Sequence, residues 1–169
     1  MERTQVEREF KKSVEKCKEI ITACGFTLPT KIEYKLNYRF TAKFGQCKLQ
    51  HSTQKYTIDI AGKYFEAYLE AGQVKEMEDT ILHEMCHALP DGMTHGYGWT
   101  KYTRVVNSKF GYNIRERATH DSISRSALDT AILLCDKCAR KHIITKRMKA
   151  YKNPQNYKCV CGGKLHLEK

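Results

Sequence analysis

The chain has 169 residues, of which 41% are hydrophobic and 29% are charged, a balance typical of globular proteins rather than disordered ones. Thirty Lys and Arg against 19 Asp and Glu give a net charge of +11, which favours anionic partners such as nucleic acid. The longest apolar run, Ala131 to Cys135, is too short for a membrane span, and the first residues lack the apolar stretch of a secretory signal; both observations argue against membrane and secreted classes.

The N-terminal segment has the pattern of one amphipathic helix that ends at Gly25. Thr4 and Glu7 have the spacing of a capping box at its start. Apolar residues recur behind them at spacings of three and four: Val6, Phe10, Val14, Cys17, Ile21 and Cys24. Cys17 and Cys24 lie on this stripe, so we expect them in the core rather than on a metal.

Three strands follow in the sequence pattern. Residues 32–40 alternate strictly between apolar and polar side chains, which predicts a strand with one solvated face. A second strand is expected over 41–50 with Gly45 as a candidate bulge, and a third contains Tyr56, Ile58 and Ile60. Because the connections are short, we expect an antiparallel meander.

Helical patterns return after the strands. A short helix is predicted over 63–71 and a stronger one over 73–89, whose buried stripe includes Met77, Ile81 and Met85. Pro90 helps to end the stronger helix. A further helix is predicted over 97–110, with Trp99 on its apolar face and Gly111 as the stop.

The strong helix carries the motif His83-Glu84-Met85-Cys86-His87. Residues four apart lie on the same side of a helix, so both imidazoles can reach one zinc ion. Glu84 lies beside that position, where its carboxylate can accept a proton from water that the metal activates. Cys86 is interpreted as a packing residue.

A catalytic zinc needs a third protein ligand and one open position. His95, eight residues after His87 in a glycine-rich loop, is the first candidate. Glu116 and His120 remain alternatives. Tyr97, Tyr102 and His120 are candidates for stabilising the oxyanion.

The C-terminal part has a second metal motif. Cys135-x-x-Cys138 and Cys159-x-Cys161 form two close pairs, the arrangement by which a zinc ribbon presents four thiolates. His142 is a weaker alternative ligand, and disulfides are the alternative use of these cysteines. A short module builds little core, so a metal is a plausible source of its stability.

This module is also strongly basic. Residues 135–169 have a net charge of +8, leaving +3 for the first 134. Cations for phosphates and aromatic faces for unpaired bases favour contact with nucleic acid. The predicted nucleic-acid contacts are Lys137, Arg140, Lys141, Lys146, Arg147, Lys149, Lys152, Lys158 and Tyr151. A solvated surface selected for solubility is the alternative.

Together these motifs resemble the SprT-like (Spartan-type) zinc metalloprotease family. The resemblance rests on the segment from His83 to Leu89, on His95-Gly96 before a helix with Trp99, on Phe110-Gly111-Tyr112, and on the closing segment from Tyr157 to Leu165. It implies a zincin-like α+β protease core with His83, His87 and His95 on zinc and Glu84 as general base. It also implies DNA-stimulated cleavage of proteins cross-linked to DNA.

We therefore expect an α+β fold with a zincin-like core: an N-terminal helix, an antiparallel three-strand meander, the HExxH helix and a following helix, then a C-terminal zinc ribbon. The expected domains are 1–128 and 129–169, with one catalytic and one structural Zn²⁺. Expected partners are single-stranded or junction DNA and proteins held on it; we expect no membrane contact and a monomer. The location is intracellular: cytoplasmic in a bacterium or virus, nuclear in a eukaryote. The alternative function is a DNA-binding zinc-ribbon protein whose zincin-like site is not catalytic.

Overall fold

A computed structural model describes residues 2–128, 130–146 and 148–168. The chain divides into two compact units, Met1–Ser124 and Arg125–Lys169, which are described separately. Helices and small sheets are both present, so the mixed α+β class is confirmed. Among the described residues no helix combines the length and the apolar character needed to cross a membrane.

The helices begin and end close to the predicted positions. They are α1 Arg3–Ala23, α2 Gly62–Glu70, α3 Val74–His87 and α4 Tyr97–Phe110, followed by the short α5 Ser122–Ser126. The predicted capping box is wrong, because α1 has Glu2 at its N-cap and no side-chain cap hydrogen bond, and Thr4 lies inside the helix. Gly111 ends α4 with a φ of 65°, a left-handed conformation that glycine adopts without strain.

The predicted antiparallel meander is wrong. The first sheet consists of β1 Ile32–Asn37, β2 Gly45–Gln50 and β3 Lys55–Ala61 in the order β1-β3-β2. Strand β3 runs parallel to β1 and antiparallel to β2. The reason is burial: Ile58, Ile60 and Ala61 of β3 are fully buried, so β3 takes the centre, whereas β1 and β2 keep partly exposed residues and form the edges.

The expected bulge at Gly45 is also absent, since the β2–β3 register runs without interruption from Gly45 opposite Ile60 to Gln50 opposite Lys55. Gly45 instead allows a close approach. A Cβ atom at this position would lie 2.7 Å from Oε1 of Glu84. The glycine therefore lets the edge strand pass directly over the HExxH helix.

The core of the first unit lies between α1, α3 and the sheet. Cys17, Cys24 and Cys86 are buried in it, which confirms the prediction that they are packing residues. A buried carboxylate also fixes α3: Glu78 accepts hydrogen bonds from Lys16 of α1 at 2.7 Å and from the hydroxyl of Tyr112 at 2.8 Å. Charge-assisted bonds of this kind offset the cost of burying the carboxylate and hold the register of α3.

The second unit contains a three-stranded antiparallel sheet in the order β5-β4-β6. The strands are β4 Thr130–Cys135, β5 Lys141–Thr145 and β6 Leu165–Leu167, and α6 Lys149–Lys152 and a 3₁₀ helix, Pro154–Asn156, lie between β5 and β6. Among the described residues of this unit, its buried cluster has five members: Leu133, Cys135, Ala150, Cys159 and Leu165. Two of the five are cysteines of the predicted metal motif, so little of this small core is independent of them.

Candidate metal centres

Three histidine side chains meet at the C-terminal end of α3. His83 and His87 lie one turn apart on the helix, and His95 reaches them from the loop before α4. Their Nε2 atoms are 3.1 to 3.2 Å apart in all three pairs. The structure thus brings together the three histidines that the sequence singled out.

The opposite ring nitrogens are held from behind. Nδ1 of His83 lies 2.9 Å from the carbonyl oxygen of Arg115, and Nδ1 of His87 lies 2.7 Å from that of Gly92. A carbonyl only accepts hydrogen bonds, so each Nδ1 carries the proton and donates it. Each Nε2 is then left with a lone pair that points at the centre of the triad, as a metal ligand requires.

The loop after α3 makes the Gly92 contact possible. Asp91 has a φ of 56°, and a Cβ atom on Gly92 would lie only 2.0 Å from the carbonyl oxygen of Cys86. Only glycine fits there, so the chain can fold back tightly enough to present its carbonyl to His87. Sequence reasoning missed this role, although the Pro-Asp-Gly run in the loop is a recognisable turn signal.

Trp99 of α4 forms the apolar wall of the triad. Its ring centroid is 4.7 to 5.8 Å from those of all three histidines, and its Nε1 donates a hydrogen bond to the carbonyl of His83 at 3.3 Å. Burial lowers the pKa of His83 to about 4, with a further contribution from the neighbouring His87. Burial lowers the pKa of His87 as well. Both imidazoles are therefore neutral at pH 7, the form that binds a metal.

These residues fit a zinc ion. Tetrahedral coordination with bonds of 2.0 to 2.1 Å puts ligand nitrogens about 3.3 Å apart, close to the observed separations. Without a cation, the lone pairs of His83 and His87 would face each other at 3.2 Å with no proton between them. His83, His87 and His95 would hold the ion and leave one position open.

Glu84 lies next to the triad under the edge strand β2. Its side chain is buried, with only 6% of the residue exposed, and it accepts a hydrogen bond from the backbone N–H of Cys47. Burial raises the pKa of Glu84 to about 8, against the opposing effects of that hydrogen bond and of Lys43. A carboxyl with a raised pKa holds a proton more readily, which suits a group that accepts and returns one.

A cleft of about 460 Å³ opens beside Glu84 and His83. Its walls come from the chain around the start of β2, from one side of α3 and from the chain after α4. Residues that line it include Lys43, Gly45, Asp79, Thr80, Arg115 and Arg117. The cleft is large enough for a few side chains of an extended peptide.

The alternative third ligands lie elsewhere. Glu116 approaches His95 from the Nδ1 side, at 3.8 Å, and not from the side of the converging nitrogens. His120 packs against Phe44 and Tyr64, with ring centroids 4.8 and 5.3 Å away. Of the oxyanion candidates, Tyr102 donates its hydroxyl to the carbonyl of Pro90, and Tyr97 is 89% exposed beside His95.

The second unit brings four cysteines together. Sγ–Sγ distances are 3.5 Å for Cys135–Cys161, 3.7 Å for Cys138–Cys159 and 3.3 Å for Cys138–Cys161. Tetrahedral zinc with bonds of about 2.3 Å needs about 3.8 Å between sulfurs, so these cysteines fit one ion. His142 lies 3.4 Å from the sulfur of Cys159 and does not belong to the group of four.

The predicted nucleic-acid contacts of this unit are mostly exposed. Lys141 forms an ion pair with Glu168 at 2.5 Å, and Lys137 donates to the carbonyl of Cys161. Arg147 lies outside the described residues. Exposed positions also include Arg140, Lys146, Lys149, Lys152 and Lys158, whereas Tyr151 is partly buried. The structure therefore places a basic, solvated surface on the same unit as the four cysteines.

A family comparison agrees with the geometry of the first unit. The model of the SprT-like family matches residues 7–120, which contain the three histidines and Glu84. The chain belongs to the SprT-like family. SprT-like proteins are generally zincin-like metalloproteases, so the matched region is a metalloprotease-like domain. The four cysteines lie beyond the match, and no curated protein matched the chain.

Proposed function

We propose that this SprT-like protein is a zinc-dependent endopeptidase. The observation that carries the proposal is a combination of two features: three imidazole nitrogens lie 3.1 to 3.2 Å apart, and one of these histidines, His83, lines the same cleft as the buried carboxyl group of Glu84. Zinc bound at such a site supplies Lewis acidity, which polarises a carbonyl and makes water acidic enough to lose a proton near neutral pH.

Glu84 handles the proton in this mechanism. It accepts a proton from the attacking water as the new C–O bond forms at the scissile carbonyl. It then gives that proton to the amine nitrogen as the C–N bond breaks, so one water is consumed and the carboxylate of Glu84 is restored. The cleft beside it holds the substrate chain and orients the scissile bond towards Glu84.

The first test replaces Glu84 by Gln and measures cleavage of a basic DNA-binding protein. Loss of a general base costs about 10² to 10⁴-fold in rate, and the zinc content should stay unchanged because Glu84 is not a ligand. Glu19→Gln makes the same change on the exposed face of α1 and should have no effect.

Activity retained in Glu84→Gln would contradict the proposed mechanism. If neither the natural chain nor the variant cleaves while metal is bound, the protein is instead a binding protein with a non-catalytic site.

We further propose that DNA stimulates this activity and that the substrates are proteins bound or cross-linked to DNA, the DNA being single-stranded or a junction. The support is the exposed basic surface of the second unit. Among the described residues, Lys149, Lys152 and Lys158 are exposed and form no ion pair. Binding enzyme and substrate to one DNA molecule raises their effective concentration, which makes a selective side-chain pocket unnecessary.

A triple variant tests this surface. Replacing Lys149, Lys152 and Lys158 by Ala should weaken binding to single-stranded DNA and reduce the slope of log K against log salt by about 2, at about 0.7 per phosphate contact. Replacing the exposed Lys11, Lys31 and Lys101 of the first unit is the matched control. If only the control triple loses DNA binding, the DNA-binding surface lies on the first unit instead.

A further inference from the structure

The chain segment Asn113–Glu116, here called the strap, lies behind the histidine triad. It follows α4 outside any helix or strand and is fixed at its start by side chains of two helices. Asp79 of α3 accepts a hydrogen bond from the backbone N–H of Asn113 at 2.8 Å. Asn107 of α4 bonds both backbone groups of Ile114, accepting from the N–H at 2.9 Å and donating to the carbonyl at 3.1 Å.

The end of the strap reaches two of the three histidines. The carbonyl of Arg115 accepts from Nδ1 of His83 at 2.9 Å. One residue later, a carboxylate oxygen of Glu116 lies 3.8 Å from Nδ1 of His95. A single four-residue segment thus stands behind both the first and the third histidine.

His95 is the histidine that needs such support most. It lies in a loop, and its side chain is 33% exposed, whereas His83 and His87 are on a helix and bonded to backbone carbonyls. Its Nε2 faces the other two Nε2 atoms, so its Nδ1 must carry the proton whenever Nε2 binds a metal. Glu116 places a carboxylate oxygen 3.8 Å from this Nδ1, on the side from which that proton can be received.

We propose that Glu116 is a positioning residue for the metal site: its carboxylate accepts a hydrogen bond from Nδ1 of His95 and holds that ring in its binding orientation. The side chain of Glu116 is 61% exposed, so rotation about its bonds is free to shorten the 3.8 Å separation to hydrogen-bond length. Carboxylates that bond a ligating histidine raise its basicity as well as fixing its tautomer. This inference rests on the proposed zinc site.

Glu116 contacts its histidine through a side chain, whereas the partners of the other two histidines are backbone groups. Arg115 and Gly92 use backbone carbonyls: a side-chain substitution at Arg115 leaves its carbonyl in place, and any substitution at Gly92 disturbs the chain itself. Glu116 is the partner that a mutation removes without altering the chain path.

The test measures metal affinity and not only activity. The full chain is titrated with Co²⁺, which has visible d–d bands at both sites, and the part of these bands that His83→Ala lacks follows the histidine site. The thiolate-to-cobalt charge-transfer band of the four cysteines serves as an internal reference in the same molecule. Glu116→Ala should weaken binding at the histidine site by about 10 to 100-fold. Glu116→Gln keeps an acceptor oxygen without the charge and should fall between Ala and the natural residue.

Glu76→Ala is the matched control, because it removes a carboxylate that lines the same cleft about two helical turns before His83. Its affinity should equal that of the natural chain. Natural affinity in Glu116→Ala, or an equal loss in Glu76→Ala, overturns the role of Glu116 while leaving the zinc site intact. Failure of the natural chain to bind Co²⁺ at the histidines, with the cysteine band present, overturns both.

Discussion

The contact between Gly45 and Glu84 shows that the missing side chain of a glycine determines the position of a candidate catalytic group. The edge strand passes so close to the buried carboxylate that any Cβ at position 45 would overlap it, at 2.7 Å from Oε1. The sequence pattern predicted a different role for Gly45, namely a β-bulge. A local sequence pattern cannot identify a packing partner 39 positions away in the chain. The close approach is visible only in the folded structure, where both residues are in place.

We expect Gly45→Ala to displace Glu84 while leaving the three histidines in position. The added methyl group must push aside either β2 or the Glu84 side chain, at a cost of about 1 to 3 kcal/mol in the free energy of unfolding. Peptidase activity should fall at least about tenfold, because a misplaced base loses much of its effect. Cleavage rates and zinc content measured on the same preparation test this.

An unchanged rate in Gly45→Ala would mean that Glu84 tolerates displacement. Loss of zinc would mean instead that the clash spreads to the histidines.

Elements differ in how far the sequence determines them. The helices follow from apolar periodicity: α4 begins and ends at the predicted residues, and α3 differs from its prediction by only one or two residues at each end. The pairing of strands does not follow, because alternation marks which face is buried and carries no information about the neighbouring strand. The meander was predicted from the short connections. In the structure β3, the most buried strand, lies between β1 and β2 instead.

The candidate metal site divides in the same way. His83, His87 and Glu84 could be predicted from their spacing in the sequence, because one helix fixes the relative positions of their side chains. The groups that hold the histidine rings are the carbonyls of Gly92 and Arg115 and the ring of Trp99. Backbone carbonyls have no sequence signature, so these supports were not predicted.

At the scale of the whole molecule, the two units differ in what stabilises them. The first unit has an extensive buried core around α1, α3 and β3. In the part of the second unit that the structure describes, five residues form the buried core, and two of them are cysteines. We therefore expect the second unit to depend on its metal for folding, as small metal-binding domains do, and the first unit to stay folded when the metal is removed.

Chelation followed by amide hydrogen exchange tests this difference. After metal removal, amides of β4, β5 and β6 should exchange at rates close to those of an unfolded chain, while those of α1 and β3 stay protected. Cys138→Ser should reproduce the result with zinc present. Continued protection of the second unit in both experiments would show that the unit folds without a metal.

The order of strands in the first sheet has a consequence for synthesis of the chain. Strand β3 is the only partner of β1 and of β2 within the described sheet, and it follows both of them in the sequence. A growing chain that ends before Lys55 therefore contains two strands and no native pairing between them. Translation must proceed past Ala61 before the ribosome-bound chain can complete this sheet. The β2–β3 hairpin, closed by the turn at 51–54, is then the local pairing that can form first, and the earlier strand β1 joins it afterwards as a parallel edge.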